Sequence, residues 1–185
     1  MTIYIHGFGG NGEGNKAKAF REYFKTISEP FIAPSLSYIP SLAISTLEEL
    51  IQSYKENITL IGSSLGGYYT LYLAQKYNLK AVVINPSINP QITLSRAIPK
   101  APSFYDNSLY EWNKNHLKSL ETYRTKAKTH SNIIALIQLG DELLNPNEAI
   151  EFLDGSRVVV EEGGNHSFDG IERHFEVIRD YLISV

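Results

Sequence analysis

Short apolar runs alternate with segments of helical periodicity along most of the chain. Six of these runs are rich in Ile, Val and Tyr and are continuous, which is typical of strands that are buried on both faces of a parallel sheet. They are residues 3–5, 31–33, 58–61, 81–84, 133–137 and 158–160. Because helix-like segments separate them, the pattern predicts an α/β fold with helices on both faces of the sheet.

For three predicted helices, the sequence indicates where the helix begins or which of its faces is buried. The sequence Ser45-Thr46-Leu47-Glu48 is a capping box, which predicts a helix of about three turns from that point. Asn145 followed by Pro146 predicts a second helix start. Near the end of the chain, spaced apolar residues predict a helix that packs on the sheet through one stripe. The stripe consists of Ile171, Phe175, Ile178 and Leu182.

The segment from residue 86 to about residue 130 interrupts this rhythm. It begins with a proline-punctuated stretch in which no strand is expected. An amphipathic helix should follow, formed by Leu109, Trp112, Leu117, Leu120 and Tyr123. Two interpretations stay open: a lid-like or cap-like insertion, and an ordinary crossover helix with a decorated loop.

Composition and charge narrow the possible classes. The 185 residues fit a single domain, 1–185, and the formal charge of −3 argues against a nucleic-acid partner. The absence of cysteine excludes disulfides, thiolate metal sites and a thiol nucleophile. We expect no membrane span and a cytoplasmic location, because the sequence shows neither a signal-peptide pattern nor about 18 consecutive apolar residues.

The strongest chemical signal is a G-x-S-x-G motif, Gly62 to Gly66. It directly follows the apolar run 58–61 and directly precedes a helix-like segment, which is the context of a nucleophile elbow. Ser64 would occupy the tight turn, and side chains at Gly62 and Gly66 would collide across it. Ser63 lies one place before the centre of the glycine bracket and should point elsewhere. The motif therefore predicts Ser64 as a nucleophile, although a serine between glycines can also be only a turn.

A serine nucleophile needs a base and an acid that orients the base. Asp141 follows the fifth apolar run, and His166 lies in the glycine-bearing loop after the sixth. The carboxyl ends of parallel strands meet at one edge of a sheet, so Ser64, Asp141 and His166 can form a triad. Separately, Asp141 could begin a turn and His166 could be a solvated loop residue. Three other acids rank below Asp141 because they do not follow their strand at the expected place: Glu142, Asp154 and Asp169.

The opening strand leads into the glycine-rich stretch His6 to Gly12, which contains a literal G-x-G-x-x-G. A dinucleotide site would require an acidic residue at the end of the second strand, but residues 31–36 contain none. We therefore expect no nucleotide cofactor. We also expect no metal, because His116, His130 and His174 show no ligand spacing.

The same stretch fits an oxyanion hole. In a hydrolase with a serine nucleophile elbow, two backbone amides form this hole. The amide of Leu65, directly after the nucleophile, and the amide of Phe8 are the predicted donors. Gly7 and Gly9 would let the loop lie beneath the developing charge, and His6 would hold the loop by hydrogen bonding.

With these residues in place, the chain resembles the α/β-hydrolase superfamily, and more closely the YqiA/YcfP-like small bacterial esterases. The resemblance rests on residues 4–11, 61–69, 138–145 and 161–175. It implies a three-layer fold with a mostly parallel six-stranded sheet that lacks the antiparallel N-terminal hairpin of larger hydrolases. It also implies hydrolysis of acyl esters or acyl-CoA thioesters, with Ser64, Asp141 and His166 as the triad.

The expected function is therefore that of a serine esterase or thioesterase without a cofactor, and its oligomeric state stays open. Two alternatives remain: a ligand-binding or scaffolding protein on a hydrolase fold, and a peptidase or amidase with the same triad. The acyl pocket is predicted in the aromatic middle segment, although these residues could equally be core. They are Phe104, Tyr105, Tyr110 and Trp112.

Overall fold

The computed structural model describes residues 1–55, 57–125 and 131–183. Its strands are β1 (Thr2–Ile5), β2 (Phe31–Ile32), β3 (Thr59–Ser63), β4 (Lys80–Ile84), β5 (Lys100–Pro102), β6 (Leu109–Glu111), β7 (Ile133–Gln138) and β8 (Arg157–Glu161). Its α-helices are α1 (Asn15–Thr26), α2 (Pro40–Ser53), α3 (Leu65–Tyr77), α4 (Pro90–Thr93), α5 (Lys114–Glu121), α6 (Pro146–Phe152) and α7 (Phe175–Ile183). Two 3-10 turns, Leu94–Ala97 and Ile171–His174, follow α4 and precede α7.

Six strands form one sheet in the order β2-β1-β3-β4-β7-β8, and every neighbouring pair is parallel. These strands coincide with the six apolar runs, so the predicted sheet is confirmed. β3 and β4 are buried except at their first residues, and β7 is buried along its whole length. Continuous burial explains why these runs do not alternate between apolar and polar residues.

The core lies on both faces of the sheet, as predicted. On one face, residues such as Leu60 of β3 pack in a cluster with Leu47 of α2 and Leu71 of α3. On the other face, Ile61 of β3 packs in a second cluster that contains Phe20 and other residues of α1 and α7. Successive residues of one strand thus serve opposite clusters, because side chains alternate across a strand. The result is a three-layer α/β/α arrangement.

Of the three helix signals in the sequence, two were confirmed and one was wrong. Asn145 caps α6 through its side chain, which accepts from the Asn147 amide at 3.1 Å. The apolar stripe of the last helix is buried, as predicted. The capping-box prediction at Ser45 was wrong, because α2 already begins at Pro40. Proline at the first helical position starts this helix earlier, and the capping-box residues lie inside it.

The segment from residue 86 onward contains a hairpin that was not expected. β5 and β6 pair in antiparallel fashion, and α5 begins only at Lys114, after both strands. Residues 126–130, the last five of the predicted insertion, lie outside the described residues. Each strand has only three residues, and Pro102 lies within one of them, so neither the length nor the composition of this stretch suggested a ladder.

Among the described residues, none of the helices combines the length and the apolar content that crossing a membrane requires.

Candidate active site

Ser64 occupies the turn between β3 and α3 in a conformation that non-glycine residues rarely adopt. Its φ is 57° and its ψ is −121°. The Ser64 amide donates to the carbonyl of Ile84 at 3.1 Å, and its carbonyl accepts from the amides of Tyr68 and Ser87 at 3.2 and 3.0 Å. Such a conformation costs on the order of 1–3 kcal/mol and persists where surrounding contacts hold it. The strain presents the hydroxyl at the carboxyl edge of the sheet.

The two glycines of the bracket are required by close approach. A Cβ at Gly66 would collide with the carbonyl oxygen of Ile5 in the neighbouring strand. A Cβ at Gly62 would collide with the Thr70 hydroxyl and with the Gly66 carbonyl. The tight turn at Ser64 therefore exists only because both flanking positions lack a side chain.

The structure brings the three predicted residues together. His166 Nε2 lies 2.9 Å from Ser64 Oγ, and His166 Nδ1 lies 2.8 Å from Asp141 Oδ2. Both ring nitrogens are thus engaged, one by the hydroxyl and one by the carboxylate. A neutral imidazole with its proton on Nδ1 would leave Nε2 free to accept the serine proton. Ser63 is buried and lies within hydrogen-bond reach of Tyr4 rather than of His166.

Asp141 is held ionised by its hydrogen bonds. Burial alone would raise its pKa, but the hydrogen bond from His166 and those from the Leu144 and Leu143 amides outweigh it, so the pKa lies below its usual value. Both amides donate to Asp141 Oδ1 at 2.9 Å. A carboxylate fixed in this way can orient the imidazole and stabilise its charged form.

Among the described residues, none of the three competing acids hydrogen-bonds to the His166 ring. The Glu142 carboxylate accepts from the backbone amide of His166 at 2.9 Å, so it holds the loop rather than the ring. The amide of Asp169 donates to the Gln138 side chain at 2.9 Å. Asp154 follows α6, and its amide donates to the carbonyl of Glu151 at 3.4 Å. Since Asp141 occupies His166 Nδ1, it is the acid that the structure assigns to the ring.

Two buried amide side chains that sequence reasoning missed position the histidine loop. Asn85 Oδ1 accepts from the Gln138 amide at 2.9 Å, and Asn85 Nδ2 donates to the carbonyls of Asn165 and His166 at 2.9 and 3.2 Å. Gln138 Oε1 accepts from the amides of Asn165 and Asp169 at 3.1 and 2.9 Å. The available signal was a polar residue at the carboxyl end of an apolar strand run, where ligands and catalytic loops gather.

The predicted oxyanion loop lies against the nucleophile. A Cβ at Gly7 would stand 3.1 Å from the Cβ of Ser64, so the loop passes directly over the elbow. Phe8 and Leu65 both line the cavity beside Ser64. Within the described part of the chain, neither of their backbone amides donates to another protein group. Both amides therefore remain available to a developing oxyanion.

His6 links this loop to its neighbour. Its Nδ1 lies 2.9 Å from the Gly7 carbonyl, and its Nε2 accepts from the Leu36 amide at 3.0 Å. These contacts correspond to the neutral ring with its proton on Nδ1. Burial lowers the pKa of His6, although the Gly7 hydrogen bond opposes it, so the neutral form is favoured. Gly9 has φ 70°, and its carbonyl accepts from the Phe104 amide at 2.8 Å.

A cavity of about 490 Å³ opens beside Ser64 and His166. This volume accommodates a small-molecule substrate. Much of its wall is apolar, and this part comes from the oxyanion loop, the segment after β4 and the loop that follows Asp141. These parts contribute Phe8, Leu94, Ala97, Phe104, Leu143 and Leu144, and Ala17 of α1 and Leu65 of α3 also line the cavity.

Of the four aromatic residues predicted for the acyl pocket, Phe104 lines this cavity. Tyr105 is 73% exposed at the surface. Tyr110 lines a second hollow of about 240 Å³ and stacks on Tyr38. Trp112 is fully buried, and its indole Nε1 donates to the Leu94 carbonyl at 3.0 Å. The structure therefore does not bring the last three to the cavity beside Ser64.

In the described ranges, no group of three or more potential ligand side chains is placed to hold a metal ion. His130, one of the three histidines considered above, lies outside those ranges.

Known proteins resemble this chain along nearly its whole length. The model of a family described as "Uncharacterised protein family (UPF0227)" matches residues 1–183. A UPF0227 protein of Vibrio cholerae serotype O1 is 26% identical over 186 residues, which cover 98% of each chain. Sequence similarity therefore extends across nearly the whole chain.

Solved structures show the same architecture. Alpha/beta hydrolase domain-containing protein 10 from mouse superposes with a TM-score of 0.77 at 19% identity, over 97% of this chain and 88% of that one. An esterase from Pyrococcus furiosus superposes with a TM-score of 0.65 at 17% identity, over 98% and 80% of the two chains. The fold is therefore that of the α/β hydrolases, as the sequence resemblance implied.

Proposed function

Because the chain belongs to the UPF0227 family, whose description names no reaction, we propose a function from its own residues. The protein is a serine hydrolase that cleaves acyl esters or acyl-CoA thioesters through an acyl-enzyme intermediate. The observation that carries this proposal is the relay from Ser64 Oγ through His166 to Asp141, with distances of 2.9 and 2.8 Å. The structural similarity to esterases supports it.

In the first half-reaction, His166 Nε2 takes the Ser64 proton as the hydroxyl oxygen attacks the acyl carbonyl. Asp141 holds the ring and stabilises the imidazolium that forms. The free amides of Phe8 and Leu65 donate to the oxyanion of the tetrahedral intermediate. The imidazolium then protonates the leaving alcohol or thiol, and the acyl group remains on Ser64.

In the second half-reaction, His166 removes a proton from water, and the resulting nucleophile attacks the acyl-enzyme carbonyl. Collapse of the second intermediate returns the proton to Ser64 and releases the carboxylic acid. The apolar walls of the cavity would bind the acyl chain, with Phe104 as one of them. In this proposal the segment from residue 86 acts as a cap, since Leu94, Ala97 and Phe104 form part of the wall.

The deciding experiment compares initial rates on p-nitrophenyl esters of increasing acyl length for the wild type and Ser64→Ala. Loss of the nucleophile of such a triad lowers turnover by about a millionfold, so the variant should be inactive. Ser63→Ala is the matched control, because Ser63 lies next in the chain but does not contact His166; it should retain turnover within about tenfold of the wild type.

Two results would contradict the proposal. If the wild type turned over no ester or thioester, a ligand-binding role on the hydrolase fold would replace it. If Ser64→Ala kept the wild-type rate, another nucleophile would be responsible. Turnover of amides at rates equal to esters would favour the peptidase alternative. Circular dichroism of both variants would show that any loss of activity is not a loss of folding.

A further inference from the structure

Two basic side chains line the cavity beside Ser64, although the chain as a whole is acidic. Lys16 and Arg96 both line it, while no aspartate or glutamate is among the described residues of its wall. The carboxylates of Asp141 and Glu142, in the loop that follows β7, hydrogen-bond with the His166 ring and with the His166 amide. The described residues of the cavity wall therefore carry two cationic groups and no anionic one, whereas the chain has a formal net charge of −3.

Lys16 stands next to the catalytic base. Its ammonium donates to the carbonyl of Ser167, the residue after His166, at 2.7 Å. Burial lowers the pKa of Lys16 to about 8, and attraction from Asp141 opposes that shift. The side chain is therefore still mainly protonated at neutral pH. One hydrogen bond to a carbonyl leaves two ammonium protons for a ligand.

Arg96 comes from a different part of the chain, the 3-10 turn after α4. Its side chain is exposed, and it forms no ion pair or hydrogen bond with the rest of the described chain. By contrast, Arg21, Arg173 and Arg179 each pair with a carboxylate. A guanidinium at a cavity wall without a protein partner is well suited to bind a carboxylate or a phosphate, since its fork matches both.

We infer that Lys16 and Arg96 form an anion subsite, and that the substrate is an ester or thioester that carries a carboxylate or phosphate group away from the reacting carbonyl. This inference rests on the proposed hydrolase function. The anion could belong to the acyl part, as in a dicarboxylic monoester, or to the leaving part, as in a phosphate-bearing thiol. In both cases it is not a reacting group, so its contacts act on binding and on kcat/KM for the charged substrate alone.

The test uses two matched substrate pairs. Mono-p-nitrophenyl succinate and p-nitrophenyl butyrate share a four-carbon acyl chain and differ by one carboxylate. S-acetyl-4′-phosphopantetheine and S-acetylpantetheine share the reacting thioester and differ by one phosphate. Arg96→Gln and Lys16→Gln should lower kcat/KM about tenfold to hundredfold for the charged member of one pair. The neutral member should change less than about threefold with Arg96→Gln.

Matched controls separate charge from structure. Lys18→Gln removes an exposed lysine from the same helix, and Arg157→Gln removes an exposed arginine outside the cavity; neither should alter the preference. Arg96→Lys and Lys16→Arg keep the charge and should restore most of the preference. If Lys16 only held the Ser167 loop, Lys16→Gln would lower turnover of charged and neutral substrates alike, and that result would overturn its part in the subsite.

The outcomes distinguish the source of the anion. A variant effect confined to the succinate pair places the carboxylate in the acyl part, and an effect confined to the thioester pair places the phosphate in the leaving part. If Ser64-dependent turnover of the neutral esters is present but neither charged substrate responds to the variants, the anion subsite is wrong while the hydrolase proposal stands.

If the wild type hydrolyses none of these substrates, a binding measurement still tests the anion subsite. Calorimetric titration of Ser64→Ala with coenzyme A and with succinate, at low and high salt, reports the subsite directly. Salt-sensitive binding of one anion that Arg96→Gln weakens about tenfold would support the subsite even if the hydrolase proposal failed. Absence of binding of both anions would overturn it.

Discussion

At the residue scale, the site depends on a few residues whose conformation is fixed by contacts with their neighbours. Ser64 keeps its strained conformation because three backbone hydrogen bonds hold it and because Gly62 and Gly66 leave space for the turn. His166 is held through its ring by Asp141 and through its backbone by Asn85 and Glu142. Orientation of His166, the proposed base, is therefore shared between one carboxylate on the ring and several groups on the loop.

This division of roles predicts different effects for two neighbouring carboxylates. Asp141→Asn should lower turnover about 10⁴-fold, because an amide at this place favours the wrong tautomer of His166. Glu142→Gln is the matched control: it keeps a group that can accept from the His166 amide, so turnover should stay within about tenfold of the wild type. Steady-state kinetics on one p-nitrophenyl ester measures both. An equal loss in the two variants would contradict the assignment of Asp141 as the acid that orients the His166 ring.

At the element scale, the segment from residue 86 to residue 125 does two separate things. Trp112, directly after the hairpin, and Leu120 of α5 anchor the segment to the body of the protein. The ring of Trp112 packs edge-on against Phe8 of the oxyanion loop, with centroids 4.8 Å apart, and the Tyr68 hydroxyl donates to the carbonyl of Leu120 at 2.7 Å. The turn of the hairpin instead carries Phe104, which is 69% exposed and faces the cavity.

Phe104→Ala should therefore change substrate preference without a large loss of stability. Removal of this wall should lower kcat/KM for the longest acyl chains by about tenfold relative to acetate, because an apolar contact discriminates chain length. Tyr105→Ala is the matched control, since its ring is exposed and outside the cavity. Relative rates across the ester series measure the effect. If both variants showed the same dependence of rate on acyl length, Phe104 would not be part of the pocket.

Trp112→Ala should have the opposite pattern. The side chain is fully buried, so its removal should lower the free energy of unfolding by about 3–5 kcal/mol. Turnover should fall by the same factor for all acyl lengths, because Trp112 supports Phe8 rather than the acyl chain. Urea unfolding and the ester series together measure this. A shift in chain-length preference would instead indicate that Trp112 lines the acyl pocket.

At the scale of the whole molecule, one sheet serves both core clusters and carries the site at its edge. The loops that follow β1, β3, β7 and β8 all begin at the carboxyl edge of the parallel sheet, which is why residues as far apart in sequence as Ser64 and His166 meet. The clusters on the two faces share the same strands. We therefore expect the layers to unfold together rather than as separate units.

Substitutions on opposite faces should then shift the same transition. Leu47→Ala, on one face, should lower the free energy of unfolding by about 2–5 kcal/mol, and Phe20→Ala, on the other, by about 3–5 kcal/mol. Leu42→Ala lies on the same helix as Leu47 but is 52% exposed, and should cost less than about 0.5 kcal/mol. Denaturant melts followed by activity and by far-UV circular dichroism should coincide; two separated transitions would contradict shared cooperativity.

The sequence alone determined what depends on local pattern and on chain order. Continuous apolar runs specify buried parallel strands, because both faces of such strands are covered. The glycine bracket around Ser64 specifies the elbow, and the positions of Asp141 and His166 after later strands specify where acid and base arrive, because parallel strands all end at the same edge.

Only the tertiary structure decided which side chains line the cavity beside Ser64. Lys16 reaches a carbonyl 151 positions away in sequence, and Trp112 turns into the core while Phe104 turns toward the cavity. The start of α2 and the short β5–β6 hairpin also could not be predicted from the sequence, because a proline start and three-residue strands give weak local signals. A cavity wall is assembled from distant elements, and its composition follows from how they pack rather than from any one stretch of chain.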